Sequence, residues 1–352
     1  MKTVIAGAGA LGSVIGGYFA QAGGDVTLIA RKPHAEAIRA RGLEINGVRG
    51  RHVIRDVRAV VDPCEVGSAD LVILCVKSQD TRGTLASLAH LRGKIGAAMS
   101  LQNGGRKDEE LAEAFGPEVV VGAMTFIGAS MPEPGRVLHT GNGGTWVGAL
   151  DGRPSARVEA IADLFRKAGL PVEVHPNIRS ATWCKLNQMV PAAALSCVTR
   201  LPLHQIYLDR GLATLFVELC REVAQIAEQQ GIPLEDFRGF AVKTVCSLPF
   251  DEAVESVIAR GRAMVGQGVT QVRISTLQDL ERGKVTEADH TIGYVVRLAA
   301  ELGLAVPKVE LLYRVIQSAE TAQQSRWQDA ETAQQSPAQG VEFAPQASNQ
   351  TG

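Results

Sequence analysis

The chain has 352 residues, 45% hydrophobic and 21% charged, with a formal net charge of −1. That length accommodates two packed domains, and the near-neutral charge offers no global basic field to hold nucleic acid or an anionic membrane. No uninterrupted apolar stretch of about 18 residues occurs, and the six scattered cysteines read as reduced core residues of a cytoplasmic protein, not as disulfides or zinc ligands.

The first element is a short apolar run, Val4-Ile5-Ala6, suited to a buried parallel strand, followed at once by Gly7-Ala8-Gly9-Ala10-Leu11-Gly12 and a helix-compatible stretch from Ser13 to Ala22. In this strand–loop–helix context Gly7 permits the tight turn, Gly9 lets the backbone approach a pyrophosphate, and Gly12 allows close helix–sheet packing. The free N–H groups and positive dipole end of the helix face the phosphates. Lys2, the apolar run and Ala20-Gln21-Ala22 imitate a secretory signal, but five glycines between Gly7 and Gly17 make a poor apolar helix. A second strand, Val26 to Ala30, ends at Arg31-Lys32 where an NAD-binding chain usually carries Asp or Glu. A guanidinium there can grip a 2′-phosphate in fork geometry, which points to NADP(H); a solvated surface arginine is the bland alternative.

Strands and helical patterns then alternate to about residue 178. Candidate strands are Leu71–Val76, Ala97–Leu101, Val119–Ala123, Val137–Thr140, Thr145–Gly148 and Val172–Val174. The continuous apolar run Leu71–Val76 is expected of a strand covered on both faces, and it delivers Lys77 to a carboxyl edge where α/β sheets bind ligands. Leu101-Gln102-Asn103-Gly104-Gly105 is a second strand exit opening on the same crevice. Beyond Asn177 the pattern is almost wholly helical. Leu212, Leu215, Phe216, Leu219, Val223 and Ile226 recur at helical spacing until Gly231 and Pro233 stop them, with further helices over Phe250–Met264, Gln278–Lys284 and Glu287–Leu302. The expected architecture is α/β: a Rossmann-type dinucleotide-binding domain over 1–178, then an all-α domain over 179–318 with a substrate cleft between them. The segment Ala319–Ser325 recurs as Ala330–Ser336 in a polar tail, 319–352, for which disorder is expected and a frayed helix is the alternative.

Two segments of the helical domain carry candidate chemistry. Lys185, in Trp183-Cys184-Lys185-Leu186, sits in an apolar helix where desolvation lowers an ammonium pKa toward the working range of a general acid. Ser275-Thr276-Leu277-Gln278-Asp279 is followed by Thr286-Glu287, the carboxylate twelve residues after the serine, where Thr286 could cap a helix. Each has an ordinary reading too: a snorkelling lysine, a serine cap, a first-turn carboxylate.

The ordered set GAGALG, LIAR, VKS, LQNGG, TWCKL and STLQDLERGKVTE resembles the ketopantoate reductase (2-dehydropantoate 2-reductase) family, from Met1 to about Ser318. The resemblance implies that Lys185 is the general acid and that Glu287 lies beside the nicotinamide and orders the reacting groups. It makes Ser275 a substrate contact, turns Asn103 toward both cofactor and substrate, and puts Lys77 and Gly128 along the cofactor. The implied reaction is hydride transfer from NADPH to the ketone carbon of a 2-oxo acid, Lys185 stabilising the charge growing on the oxygen and supplying the proton. Glu287 nearby would keep Lys185 charged, opposing desolvation. No metal is required.

One departure matters. The family carries asparagines four and eight residues after the catalytic lysine, on the same helix face; here Met189 and Ala193 stand there, and Asn187 points elsewhere. The substrate wall has lost two hydrogen-bonding groups and become apolar. Three readings follow: a ketopantoate reductase with fewer polar contacts, a same-fold 2-hydroxyacid dehydrogenase for a more apolar 2-oxo acid, or a catalytically idle NADP-binding regulator. Retention of Lys185, Ser275 and Glu287 disfavours the last. The apolar helical domain is of a kind that pairs, which admits a homodimer.

Overall fold

A computed structural model describes the backbone of residues 1–237 and 239–335, and side chains up to residue 324 apart from residue 238. The N-terminal part runs β1 (Lys2–Ala6), α1 (Ala10–Gln21), β2 (Asp25–Ile29), α2 (Lys32–Arg41), β3 (Leu43–Gly47), β4 (His52–Ile54), β5 (Arg58–Val60), β6 (Ala69–Leu74), α3 (Thr81–Ser87), β7 (Ile95–Ser100), α4 (Lys107–Phe115), β8 (Gly122–Glu133), β9 (Arg136–Gly148), α5 (Ala156–Lys167) and β10 (Val172–Val174).

The central sheet is all parallel in the order β5-β2-β1-β6-β7. Its apolar strands are covered on both faces, and successive residues alternate between two cores. Val4, Ala6, Val72 and Leu74 enter one, and Ile5, Leu71 and Ile73 the other. The chain reverses its direction of growth between β1 and β6, so the crevice at their carboxyl ends is where such a sheet binds ligands. A second sheet, β10-β9-β3-β4 with β8 paired to β9, packs beside it. Here the structure departs from the sequence reading. Val137–Thr140 and Thr145–Gly148 are one strand, because β8 pairs with β9 across the glycines between them through register shifts at Thr125/Ile127 and Gly128/Ala129. The strand expected over Val119–Ala123 starts only at Gly122, after a 3-10 turn at Pro117–Val119. β3, β4 and β5, short and rich in polar residues, are additions to the sequence reading.

The C-terminal part is helical: α6 (Ile178–Thr199), α7 (Leu203–Leu208), α8 (Arg210–Gln229), a two-residue hairpin of β11 (Asp236–Phe237) and β12 (Phe240–Ala241), α9 (Val242–Ser247), α10 (Phe250–Gly266), α11 (Ser275–Glu281), α12 (Ala288–Glu301) and α13 (Pro307–Gln335). The α/β-then-α expectation holds. α6 is the axis, capped by Asn177 on the Ser180 N–H (3.1 Å) and buried almost all round. Pro191 inside it cannot donate to the Asn187 carbonyl one turn back, and that carbonyl accepts from Cys220 Sγ of α8 at 3.8 Å instead. Asn187 returns the contact, its Nδ2 donating to the Cys220 carbonyl (2.8 Å). Asn187 therefore clamps α6 to α8, turned away from the cleft as its spacing implies. The expected disorder from residue 319 is not what the structure shows: α13 continues to Gln335, and Glu320 accepts from the Thr286 N–H at 2.6 Å. The carboxylate anchors α13 to the bundle at Glu320. Residues 336–352, including the end of the duplicated segment, lie outside the described residues.

Candidate active site

Four loops meet at the carboxyl edge of the parallel sheet, after β1, β2, β6 and β7. In the first, Gly7 has φ +94°, and a Cβ there would stand 2.7 Å from the Val76 backbone nitrogen; only glycine permits that turn. A Cβ on Gly12 would meet the Gly7 carbonyl at 2.6 Å, so α1 can approach the sheet only without one. Above Gly9 a Cβ would meet nothing within 4 Å. Gly9 is the cap residue of α1, with no side-chain cap and no acidic residue in the first turn. The Ala8 and Gly9 N–H groups are committed to the Ile29 and Gly7 carbonyls (2.8 Å each), while the first helical turn at Ala10 and Leu11 presents its N–H groups and a positive dipole end to open space.

Arg31 begins α2 directly after β2. Its side chain is 89% exposed and pairs with Asp80 at 3.3 Å, while Lys32 pairs with Glu36 at 3.9 Å. Surface pairs of this kind are weak and readily exchanged.

The loop after β6 crosses to the helical domain. Lys77 donates to Asp279 of α11 (2.8 Å) and to Glu287 Oε2 at the head of α12 (3.0 Å). Ser78 donates to Glu287 Oε1 through its N–H (3.0 Å) and its hydroxyl (2.8 Å). Burial raises the Glu287 pKa, but Lys77 and the two Ser78 donors outweigh it, and the carboxyl titrates below its ordinary range. Glu287 is the cap residue of α12 yet makes no side-chain cap bond; its carboxylate ties the two domains together.

After β7, Gln102 fixes the loop, its Nε2 donating to the Val76 carbonyl (3.0 Å) and to Thr81 Oγ1 (2.7 Å). Gly105 lies against α12, where a Cβ would fall 2.1 Å from the Tyr294 ring. Asn103, between them, is directed at Lys185. Lys185 Nζ donates to Asn103 Oδ1 (2.8 Å) and to the Thr125 carbonyl of β8 (2.7 Å), 5.3 Å from the centre of the Phe126 ring. Burial, reinforced by the Lys107 ammonium, lowers its pKa to about 7, with Glu287 pulling the other way. The desolvation reading of Lys185 therefore holds, and Glu287 opposes it as expected but is outweighed by burial and the Lys107 ammonium. Glu287 spends its oxygens on Ser78 and Lys77, and its distant field loses to burial.

The structure thus brings Asn103, Lys185, Lys77 and Glu287 to one crevice. Ser275 is exposed in the first turn of α11, on the same face as Asp279 four residues on, which reaches Lys77. Gly128 lies at the β8 bulge, where a Cβ would meet Thr140 Oγ1 at 2.7 Å. Met189 is partly exposed, whereas Ala193 is 2% exposed within the helical core. Lys107, Ser78, Thr125 and Phe126 are additions to the sequence reading. The signal for Lys107 was present: a lysine in the first turn of a helix, where cations are disfavoured.

A family model described as ketopantoate reductase PanE/ApbA matches residues 3–152, and its C-terminal counterpart matches residues 177–320. The chain belongs to the ketopantoate reductase family. The 2-dehydropantoate 2-reductase of Pyrococcus abyssi is 31% identical, the match covering 92% of this chain and 99% of that protein. The enzyme of Halobacterium salinarum is 30% identical over 91% of this chain and 99% of its own length. A solved PanE/ApbA family ketopantoate reductase from Ralstonia eutropha has a TM-score of 0.78 at 33% identity, covering 92% of this chain and all of its own. A D-mandelate dehydrogenase solved with NADH and anilino(oxo)acetate shares the fold (TM-score 0.78, 92% of this chain and 99% of its own) at 21% identity. The protein is an oxidoreductase of this NAD(P)H-dependent family. Among the described residues no helix is long and apolar enough to cross a membrane. The site fits the family's dinucleotide on its own geometry, because the space above Gly9 and the uncapped first turn of α1 form a cradle for a pyrophosphate.

Proposed function

We propose that the protein reduces ketopantoate, or a closely related 2-oxo acid, with NADPH. The observation that carries this is the Lys185 ammonium, buried at the carboxyl edge on two neutral oxygens, those of Asn103 and Thr125. An ammonium has three N–H donors; two hold it in place and the third is left for a substrate oxygen. With a pKa of about 7, Lys185 is charged enough to stabilise a developing alkoxide and acidic enough to protonate it. The bound dinucleotide supplies the hydride to the ketone carbon, and the product is a 2-hydroxy acid.

Gly7, Ala8, Gly9, Ala10, Leu11 and Gly12 would hold the pyrophosphate, and Arg31 the 2′-phosphate, exchanging its exposed partner Asp80 for it. Lys77, Gly128 and Glu287 flank the rest of the cofactor path. Asn103 orients Lys185 and faces the substrate, with Ser275 assigned to the substrate carboxylate.

A second reading, a reductase for a more apolar 2-oxo acid, is favoured by Met189. It lies one turn beyond Lys185, is partly exposed, and stands where the family has an asparagine; Ala193 continues the apolar face one turn deeper. Initial rates with NADPH and a panel of 2-oxo acids test both. Turnover of ketopantoate supports the first and preference for 2-oxoisovalerate the second, while no NADPH oxidation with any member would refute the proposal.

A further inference from the structure

Lys107 lies opposite Lys185 in the cleft between the loop after β7 and the first turns of α6, and the two side chains line it together. Its ammonium is buried and donates to the carbonyls of Ser100 (3.1 Å) and Ala123. Ala123 and Thr125, whose carbonyl holds Lys185, are two residues apart on β8. The pleat turns such carbonyls to the same side, about 6.7 Å apart. Two ammonium groups therefore stand side by side along one strand, and all four of their acceptors are neutral oxygens.

We propose that Lys107 is a positioning residue for the proton donor: held on β7 and β8 one strand repeat away, its positive charge sets the acid strength of Lys185. The proposal rests on Lys185 being the proton donor of the reaction. Burial lowers the Lys107 pKa, and Asp108 and Glu109 beside it on α4 oppose only part of that shift; its two carbonyl acceptors favour the ammonium over the neutral amine. Asp108 is itself buried, its pKa raised by desolvation, with Arg179 at the start of α6 pulling the other way. Glu287, at the head of α12, acts on Lys185 in the opposite sense to Lys107. Among the described residues those are the charged groups acting on the pair from α4, α6 and α12; β7 and β8 contribute carbonyls and the Phe126 ring. Two unit charges about 6–7 Å apart at an effective dielectric near 20 displace each other's titration by about one to two pH units. Without Lys107, Lys185 keeps its proton to higher pH and becomes a weaker acid.

The test is Lys107→Gln, which retains an N–H donor for the carbonyls and removes the charge, with Lys107→Met as a second neutral variant and Lys107→Arg as the charge-preserving control. The Lys185 side chain is followed directly by NMR titration of cofactor-free protein labelled with 13Cε-lysine, its resonance assigned by loss in Lys185→Ala. The expected result is a midpoint near 7 in the wild type and in Lys107→Arg, moved up by about one to two pH units in the neutral variants. The alkaline fall of kcat for 2-oxo acid reduction should move with it. An unmoved Lys185 midpoint in a folded neutral variant overturns the proposal. A moved midpoint in a protein whose Lys185→Ala variant still turns over would instead overturn the proton-donor assignment and leave the Lys107 effect standing.

Discussion

Replacing Glu287 with Gln tests whether its carboxylate is the fastener between the two domains. Three donors converge on it, the Ser78 N–H and hydroxyl on one oxygen and the Lys77 ammonium on the other. An amide has one acceptor oxygen. If it serves Ser78, its NH2 meets the Lys77 ammonium donor to donor; if it serves Lys77, the buried Ser78 donors go unmet. A charge-assisted bond contributes about 1.5–3 kcal/mol, and the surviving bonds fall to roughly half strength. Lys77 is 42% exposed and keeps Asp279, which moderates its share through solvent screening. The net expectation is a loss of about 2–4 kcal/mol at pH 7, or, for a chain of this length, a Tm lower by on the order of 3–5 °C. The pH dependence gives the sign. The folded pKa of Glu287 is depressed, so its contribution is present above the ordinary value of 4.5 and is lost as pH falls through the folded value. Differential scanning fluorimetry of both proteins between pH 8 and pH 3.5 should show a gap that narrows below about pH 4.5. A gap under about 1 °C at pH 7, or one that stays constant into acid, would refute the fastener.

Two further predictions concern specificity. Arg31→Ala should raise the Michaelis constant for NADPH roughly 10–100-fold while leaving that for NADH nearly unchanged; steady-state kinetics with both cofactors decide it, and an unchanged ratio rejects the 2′-phosphate assignment. Met189→Asn should shift preference toward ketopantoate over 2-oxoisovalerate, which lacks the hydroxyl, by about 10-fold, the worth of one added hydrogen bond. Ala193→Asn, placing an amide in the helical core, should lower stability by about 1–3 kcal/mol. If Met189→Asn leaves the preference unmoved, position 189 does not touch the substrate.

The features legible in the sequence are those where local chemistry and the fold agree. Gly7 is required by its own left-handed turn (φ +94°) and Gly12 by the Gly7 carbonyl five residues back, and the run Leu71–Leu74 is apolar because both faces of β6 are covered. Lys185 was readable because a lysine in an apolar helix is itself anomalous. Features fixed by distant partners were not readable. β3 is half polar and pairs with β4 and with β9, more than ninety residues on. The glycines at 141, 143 and 144 read as a break, yet their strand is held by bulged pairing to β8. The direction of Glu287 depends on Ser78, more than two hundred residues away, and no local pattern distinguishes it from a carboxylate drawn to a helix start. Lys107 acquires its meaning only when β8 brings the Ala123 and Thr125 carbonyls beneath two lysines from separate domains.

The central claim is that Lys185 donates the proton in reduction of a 2-oxo acid, and its most direct test is the turnover of Lys185→Ala measured together with NADPH binding. Turnover lower by about two to four orders of magnitude, with a dissociation constant for NADPH within a few-fold of wild type by fluorescence titration, is the predicted result. Turnover within tenfold of wild type at saturating NADPH and 2-oxo acid would contradict it.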